Sequence, residues 1–315
     1  MEAAQPRPVD LPPGGRAWDA TLALTASDGV RLRGAVWRHD GRGRGHAIVL
    51  QGRTEFLEKY AGPAAGLVAR GFAVASLDWR GQGHSDRLVA NPLKGHVGRF
   101  TDYHRDLQAL LAHPEVAGLA GPRLVLAHSM GGTIGLGAVL RGVMRPAALI
   151  VLAPMLGIAM SKGQRLLCRL LLPLARALGR PDIWPPLAGA AAPYVLSGFE
   201  GNVLTDDRAR FAWMVEALRR DPALGLGMPT LGWFDAALAE ADWIARHGPL
   251  EVPGLCLLGS DEAVVGPAAV RAGAPRLGLE LVEIAGARHE LLISSEPVRR
   301  ATWEAIDRFL AARGL

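Results

Sequence analysis

Hydrophobic positions along this 315-residue chain follow two alternating patterns. Short, nearly continuous apolar runs at residues 46–50, 72–77, 123–127, 148–152, 254–258 and 279–284 have the length and density of strands buried on both faces. Between them, apolar residues recur every three or four positions, most clearly at 55–69, 102–112, 133–141 and 297–312, which predicts helices with one buried face. Pro297 stands at the start of the last of these, where a missing N–H costs nothing. Strands alternating with helices imply crossover connections, and hence a mostly parallel central sheet with helices on its faces. The chain enters this pattern through residues 20–38, two β-favouring segments around Ser27-Asp28-Gly29, which read as an antiparallel hairpin.

The alternation stops between residue 155 and about 248, where the sequence turns helix-like and proline-punctuated, with 166–178 and 208–219 its most periodic pieces. A connection of that length inside a compact domain is usually functional. The expected organisation is therefore a flexible N-terminal segment at 1–19, a core formed by 20–154 and 249–315, and a helical cap or lid at 155–248, inserted after the sixth parallel-type strand.

Composition narrows the class. Half of the residues are hydrophobic and 21% are charged, a globular profile far from that of disordered chains. The net charge of +5 is spread along the chain with no dense Lys/Arg run interleaved with aromatics, so no nucleic-acid partner is expected. Cys168 and Cys256 lie in apolar runs and form neither a disulfide framework nor a metal-ligand spacing. The start, rich in Pro, Gly and Arg, lacks the apolar stretch of a secretory signal, and no run of about 18 uncharged apolar residues exists to span a bilayer. The expectation is a cytoplasmic protein, peripheral at most to the inner membrane surface. That contact would be made by residues 164–180, where leucines alternate with Arg165, Arg169, Arg176 and Arg180. A cap helix covering an active site needs the same apolar face and is the preferred reading of this stretch.

The densest chemical signal is Leu124-Val125-Leu126-Ala127-His128-Ser129-Met130-Gly131-Gly132, a hydrophobic strand running through small residues into a helix. A serine on such a sharp turn is a nucleophile elbow, and it needs small neighbours so that adjacent backbone can approach; Gly131 supplies one, and Ala127 stands where the usual pattern has glycine. A hydroxyl is a weak nucleophile without a base, so the elbow predicts a carboxylate and then a histidine further along. His289 follows the strand-like run 279–284, and Asp261 follows the run 254–258 in Gly259-Ser260-Asp261-Glu262-Ala263-Val264-Val265; Glu262 and Asp242 compete with Asp261 for the acid role. An oxyanion hole would draw on the backbone N–H of Met130 and of Arg53, just beyond the run 46–50. His128 adjoins the nucleophile but is read as packing or supporting, because neighbouring side chains on a strand end point to opposite faces. The glycine-rich stretch 78–85 lacks the Gly-Lys-Ser/Thr of a phosphate loop and reads as a structural turn near the oxyanion loop.

With these residues in view, the sequence resembles the bacterial lysophospholipase and monoglyceride lipase branch of the α/β-hydrolases. The likeness rests on Gln51-Gly52-Arg53-Thr54-Glu55-Phe56 with Lys59-Tyr60, on Asp78 through Asp86, on the His128-Ser129-Met130-Gly131-Gly132 elbow, and on the Asp261 and His289 loops. Monoglyceride lipases usually carry His-Gly where Gln51-Gly52 stands, so the first piece looks more like the lysophospholipases. The resemblance implies the α/β-hydrolase fold, with Asp261 at the family's Gly-x-Asp-x-x-Val position, and hydrolysis of carboxylic esters of single-chain lipids through an acyl-enzyme, without metal or organic cofactor. A general carboxylesterase, thioesterase or transacylase would use the same residues, and a catalytically silent ligand-binding relative would keep the fold alone.

Overall fold

The computed structural model describes residues 9–41, 43–158, 162–185, 196 and 198–315. Eight strands form one sheet: β1 (Ala20–Thr25), β2 (Arg31–Trp37), β3 (Gly45–Leu50), β4 (Phe72–Leu77), β5 (Arg123–His128), β6 (Ala148–Leu152), β7 (Gly254–Gly259) and β8 (Leu279–Ile284). Their order is β1-β2-β4-β3-β5-β6-β7-β8. The first two pair antiparallel, with β2 also antiparallel to β4, and the remaining six run parallel. The expected hairpin is present, closed by Gly29, whose positive φ of 84° suits a residue without Cβ.

Sequence and burial agree along the sheet. Strand β1, at the edge, alternates outside and inside with Leu22 and Leu24 buried, whereas β3, β4, β6 and β7 are buried at every position because helices cover both faces. Those helices are α1 (Ala61–Val68), α2 (Asp102–Ala112), α3 (Pro114–Ala117), α4 (Met130–Leu140), α8 (Pro267–Arg276) and α9 (Glu296–Ala311). The connection between β6 and β7 adds α5 (Lys162–Ala177), α6 (Arg208–Arg220) and α7 (Leu231–Ala245). That connection follows the sixth strand of the chain, which is the fourth of the six parallel ones and not the sixth.

Besides the single turn α3, two helices were not legible as periodic patterns. In α7 Leu231 to Phe234, Ala236, Ala237, Glu240, Ala241 and Ile244 are buried, and one of these is an acid while apolar residues also stand on the other side, so no clean polar face marks its period. Helix α8 carries Gly273 and Pro275 in its interior, against its propensity, and is held by packing on β7 and β8.

The order β4-β3-β5 contains the point where successive crossovers leave in opposite directions, opening a crevice outside the carboxyl ends of β3 and β5. The elbow and the Arg53, Asp261–Glu262 and His289 loops are delivered to this edge, whereas Asp242 is exposed on α7.

Candidate active site

Ser129 sits between β5 and α4 at φ 52° and ψ −117°, a conformation that a residue with a Cβ adopts only under strain. Its main chain is held there: the N–H donates to Leu152 O at 2.9 Å, and the carbonyl accepts from Thr133 at 3.3 Å and Met155 at 3.1 Å. A Cβ on Gly131 would lie 2.2 Å from Leu50 O and 2.4 Å from Gln51 O, so only glycine lets α4 start against the end of β3. Ala127 is fully buried in β5 between Leu50 and Val151, where its methyl group is accommodated without displacing the turn.

His289 is buried on the loop after β8, and its Nδ1 lies 2.8 Å from Glu262 Oε2. The carboxylate that the structure brings to the histidine is thus Glu262 and not Asp261. Asp261 is exposed, accepting only from its neighbour Ser260 Oγ at 2.9 Å, while its main-chain N–H donates to Ala287 O at 3.0 Å. The chain turns as it leaves β7, and successive side chains diverge: the first faces solvent and the second faces the His289 loop. Gly259 makes the approach possible, since a Cβ there would lie 2.2 Å from Ala287 O and 2.5 Å from Arg288 O. Burial pushes the Glu262 carboxyl up, but the His289 hydrogen bond and charge, with the N–H groups of Val264 and Val265, hold it below the usual range. An ionised carboxylate at Nδ1 makes that nitrogen the donor and leaves the Nε2 lone pair to take a proton.

Among the described residues, neither the N–H of Arg53 nor that of Met130 meets a protein acceptor, so both remain available as donors. The loop bearing Arg53 is braced from below: Trp79 Nε1 donates to Gln51 O at 2.9 Å, and Thr54 N–H donates to Gln82 Oε1 at 2.6 Å. The stretch 78–85 is therefore a turn that supports this loop, itself pinned by Asp78, which accepts from the N–H groups of Leu57 and His84, each at 2.9 Å.

Behind the elbow lies a buried charged cluster that sequence spacing does not reveal. Glu55 accepts from Lys59 Nζ at 2.7 Å, Tyr60 OH at 2.6 Å and the Gly52 N–H; Lys59 also pairs with Glu290. His128 joins it, its Nδ1 3.2 Å from Glu55 Oε2 and its Nε2 3.2 Å from the main-chain oxygen of His289. Burial disfavours the charged imidazole, yet Glu55 and Glu290 outweigh it and raise the His128 pKa. Both partners of His128 are acceptors, an arrangement that favours its charged form. With Lys59 it faces the carboxylates of Glu55 and Glu290. The His128 ring lies 4.7 Å from that of His289, and its bond to the His289 carbonyl makes it a support of the loop, as its position beside the serine suggests.

The β6–β7 connection also holds the His289 loop. Glu290 N–H donates to Leu204 O at 2.9 Å, Arg288 Nη1 reaches the carbonyls of Asn202 and Thr205, and Thr205 Oγ1 donates to Ile293 O at 2.7 Å. Glu200 pairs with Arg208, Asp206 accepts from Ser295, and Asp207 caps α6, so these acids have structural partners. No cluster of three or more His, Cys, Asp or Glu suited to a metal ion occurs among the described residues.

A parallel sheet whose fifth strand turns sharply through a strained serine, with a buried carboxylate–histidine pair at the same edge, defines an α/β-hydrolase. The chain belongs to the Hydrolase_4 family, described as serine aminopeptidase S33, whose profile matches residues 41–296. It is 34% identical over 295 residues to lysophospholipase L2 of Escherichia coli K12, covering 91% of this chain and 86% of that one. A probable lysophospholipase L2 of Haemophilus influenzae is 28% identical over 267 residues, 84% of this chain and 82% of its own. Among solved structures, a soluble variant of monoglyceride lipase from Saccharomyces cerevisiae superposes with a TM-score of 0.70 at 17% identity, covering 95% of this chain and 99% of that one. A carboxyl esterase from Bacillus coagulans does so with a TM-score of 0.72 at 16% identity, over 94% and 99%. The chain is thus an ester-hydrolysing, lipase-like α/β-hydrolase.

Proposed function

We propose that this enzyme cleaves the carboxylic ester of single-chain lipids, lysophospholipids or monoacylglycerols, by two-step acyl transfer from Ser129. His289 Nε2 takes the hydroxyl proton as the oxygen attacks the ester carbonyl, and the oxyanion is received by the N–H groups of Arg53 and Met130. Glu262 holds the imidazole in its tautomer and stabilises the imidazolium that forms. His289 then returns the proton to the leaving alcohol, and water activated by the same base releases the fatty acid. The observation that carries this reading is the buried 2.8 Å pair of His289 and Glu262 at the edge where Ser129 is strained. The lipid substrate is supported by the 34% identity to a lysophospholipase along nearly the whole chain.

The test is a substrate panel. A lysophospholipid and a monoacylglycerol should be hydrolysed with higher kcat/KM than short nitrophenyl esters, and a fluorophosphonate should label Ser129, as read by peptide mass. Activity confined to the short esters would turn the reading into a general esterase.

Residues 155–248 are proposed to act as the cap over this site and to meet a lipid surface. Leu166, Leu170 and Leu174, spaced four apart on α5, are 58%, 66% and 58% exposed, and Leu178 is 68% exposed. On the other side of the same helix, Leu172 and Ala175 are buried with Leu231 of α7. A continuous stripe of exposed leucines differs from the scattered apolar residues of an ordinary surface and fits shallow insertion among acyl chains. No helix among the described residues is long and apolar enough to cross a membrane, so the contact would be peripheral, at the inner face if the chain is cytoplasmic. Replacing Leu170 and Leu174 together by Asp should weaken binding to phosphatidylglycerol vesicles at least roughly tenfold, given about 1.5–3 kcal/mol per buried leucine. Unchanged vesicle sedimentation, with Tm preserved, would assign the stripe to something other than lipid.

A further inference from the structure

We propose that the guanidinium of Arg53 receives the phosphate of a glycerol-linked lysophospholipid, and so selects phosphate-bearing substrates over neutral monoacylglycerols. The assignment rests on the lipid-ester reading above and deepens it.

Arg53 is a half-buried cation that meets no anion among the described residues. Among the described residues no carboxylate lies within 4.0 Å of it, its Nε is sealed from solvent with no partner, and its one side-chain hydrogen bond goes from Nη2 to Gly227 O. The guanidinium lies 5.4 Å from the centroid of the Trp233 ring, in space that Gly95 leaves open. Burial pushes its pKa down to about 10, offset only in part by Tyr103.

Other arginines in the molecule are provided for. Arg33 forks onto Glu58 and also reaches Asp78, Arg80 bridges Asp28 and Asp106, and Arg141 forks onto Glu240. Arg87, which lacks a carboxylate, ends on three carbonyl oxygens instead. Against this pattern, an unpaired guanidinium is a destabilising arrangement that a ligand anion would relieve.

Its position names the ligand. The N–H of the same residue is the proposed oxyanion donor, so the guanidinium lies one arginine side chain from the ester carbonyl. It ends at the seam with Gly227 and Trp233 of the β6–β7 connection. In a lysophospholipid the phosphate is joined to the same glycerol as the ester, a comparable separation. The planar fork of a guanidinium matches two phosphate oxygens.

The experiment separates binding from turnover. In the Ser129→Ala background, binding of an alkyl-ether glycerophosphate is compared with that of the same alkyl-ether glycerol lacking phosphate, neither of which can be hydrolysed. The phosphate should tighten binding roughly tenfold to a hundredfold. Adding Arg53→Met should abolish that preference, and Arg53→Lys, a point charge without the fork, should keep only part of it. Equal binding of the two lipids, or a preference that survives Arg53→Met, overturns the proposal. If Arg53→Met fails to fold, undiminished preference in Arg53→Lys overturns it equally. Lipid-ester hydrolysis by the wild type without phosphate preference would remove this assignment and leave the hydrolase reading intact. Phosphate preference without lipid-ester hydrolysis would support the assignment and remove the reading.

Discussion

Glu262→Gln should lower kcat by roughly a thousandfold to ten-thousandfold, while Asp261→Asn should change it by no more than about twofold. The amide keeps nearly the shape of the carboxylate but cannot carry its charge, so His289 loses both the anion that fixes its tautomer and the charge that stabilises its protonated form. Asp261 touches only Ser260 Oγ through its side chain, and its main-chain bond to Ala287 is kept in the asparagine variant. Steady-state kinetics on one soluble ester, with Tm confirming the fold of each variant, decides between the two acids. A large loss in Asp261→Asn with little in Glu262→Gln would return the acid role to Asp261.

Ser129→Ala should reduce turnover roughly ten-thousandfold to a millionfold, about 5–8 kcal/mol of transition-state stabilisation, and abolish fluorophosphonate labelling. In the proposed mechanism the serine and the histidine act as a unit, so His289→Ala should cost about as much and the double variant little more. The alanine variant should lose no stability, because the hydroxyl is bonded to no other described residue and the strained main chain is held by Leu152, Thr133 and Met155 regardless of the side chain. Turnover that survives the substitution would show that Ser129 is not the nucleophile. A loss accompanied by a drop in Tm would instead locate the effect in the fold of the elbow.

The core strands were legible because burial on both faces demands unbroken apolar runs, and the elbow because a strained turn demands small residues in fixed places. Thr133 to Arg141 was recognised as helical, but α4 begins three residues earlier, at Met130, where glycines conceal the period. The pattern of the chain favours Asp261, whereas the structure sets the adjacent Glu262 beside His289. Asp261 and Glu262 are adjacent carboxylates on one turn, and no pattern in the chain states which of two neighbouring side chains points inward. The charged cluster was hidden for a different reason: Glu55 and Lys59 stand at ordinary helical spacing, and their partner Glu290 lies 231 residues from Lys59.

The sequence by itself determined the class of fold and the order of strands and helices, and it singled out Ser129 and His289 as the candidate nucleophile and base. Each of these follows from local requirements: burial for the strands, steric room for the elbow, and the need of a hydroxyl for a base. Only the tertiary structure decided which carboxylate meets His289, which cations face the buried acids behind the elbow, and that Arg53 meets no carboxylate among the described residues. Those are matters of direction and of distance between remote residues, and they are settled when the carboxyl ends of β3, β5, β7 and β8 are brought to a single edge.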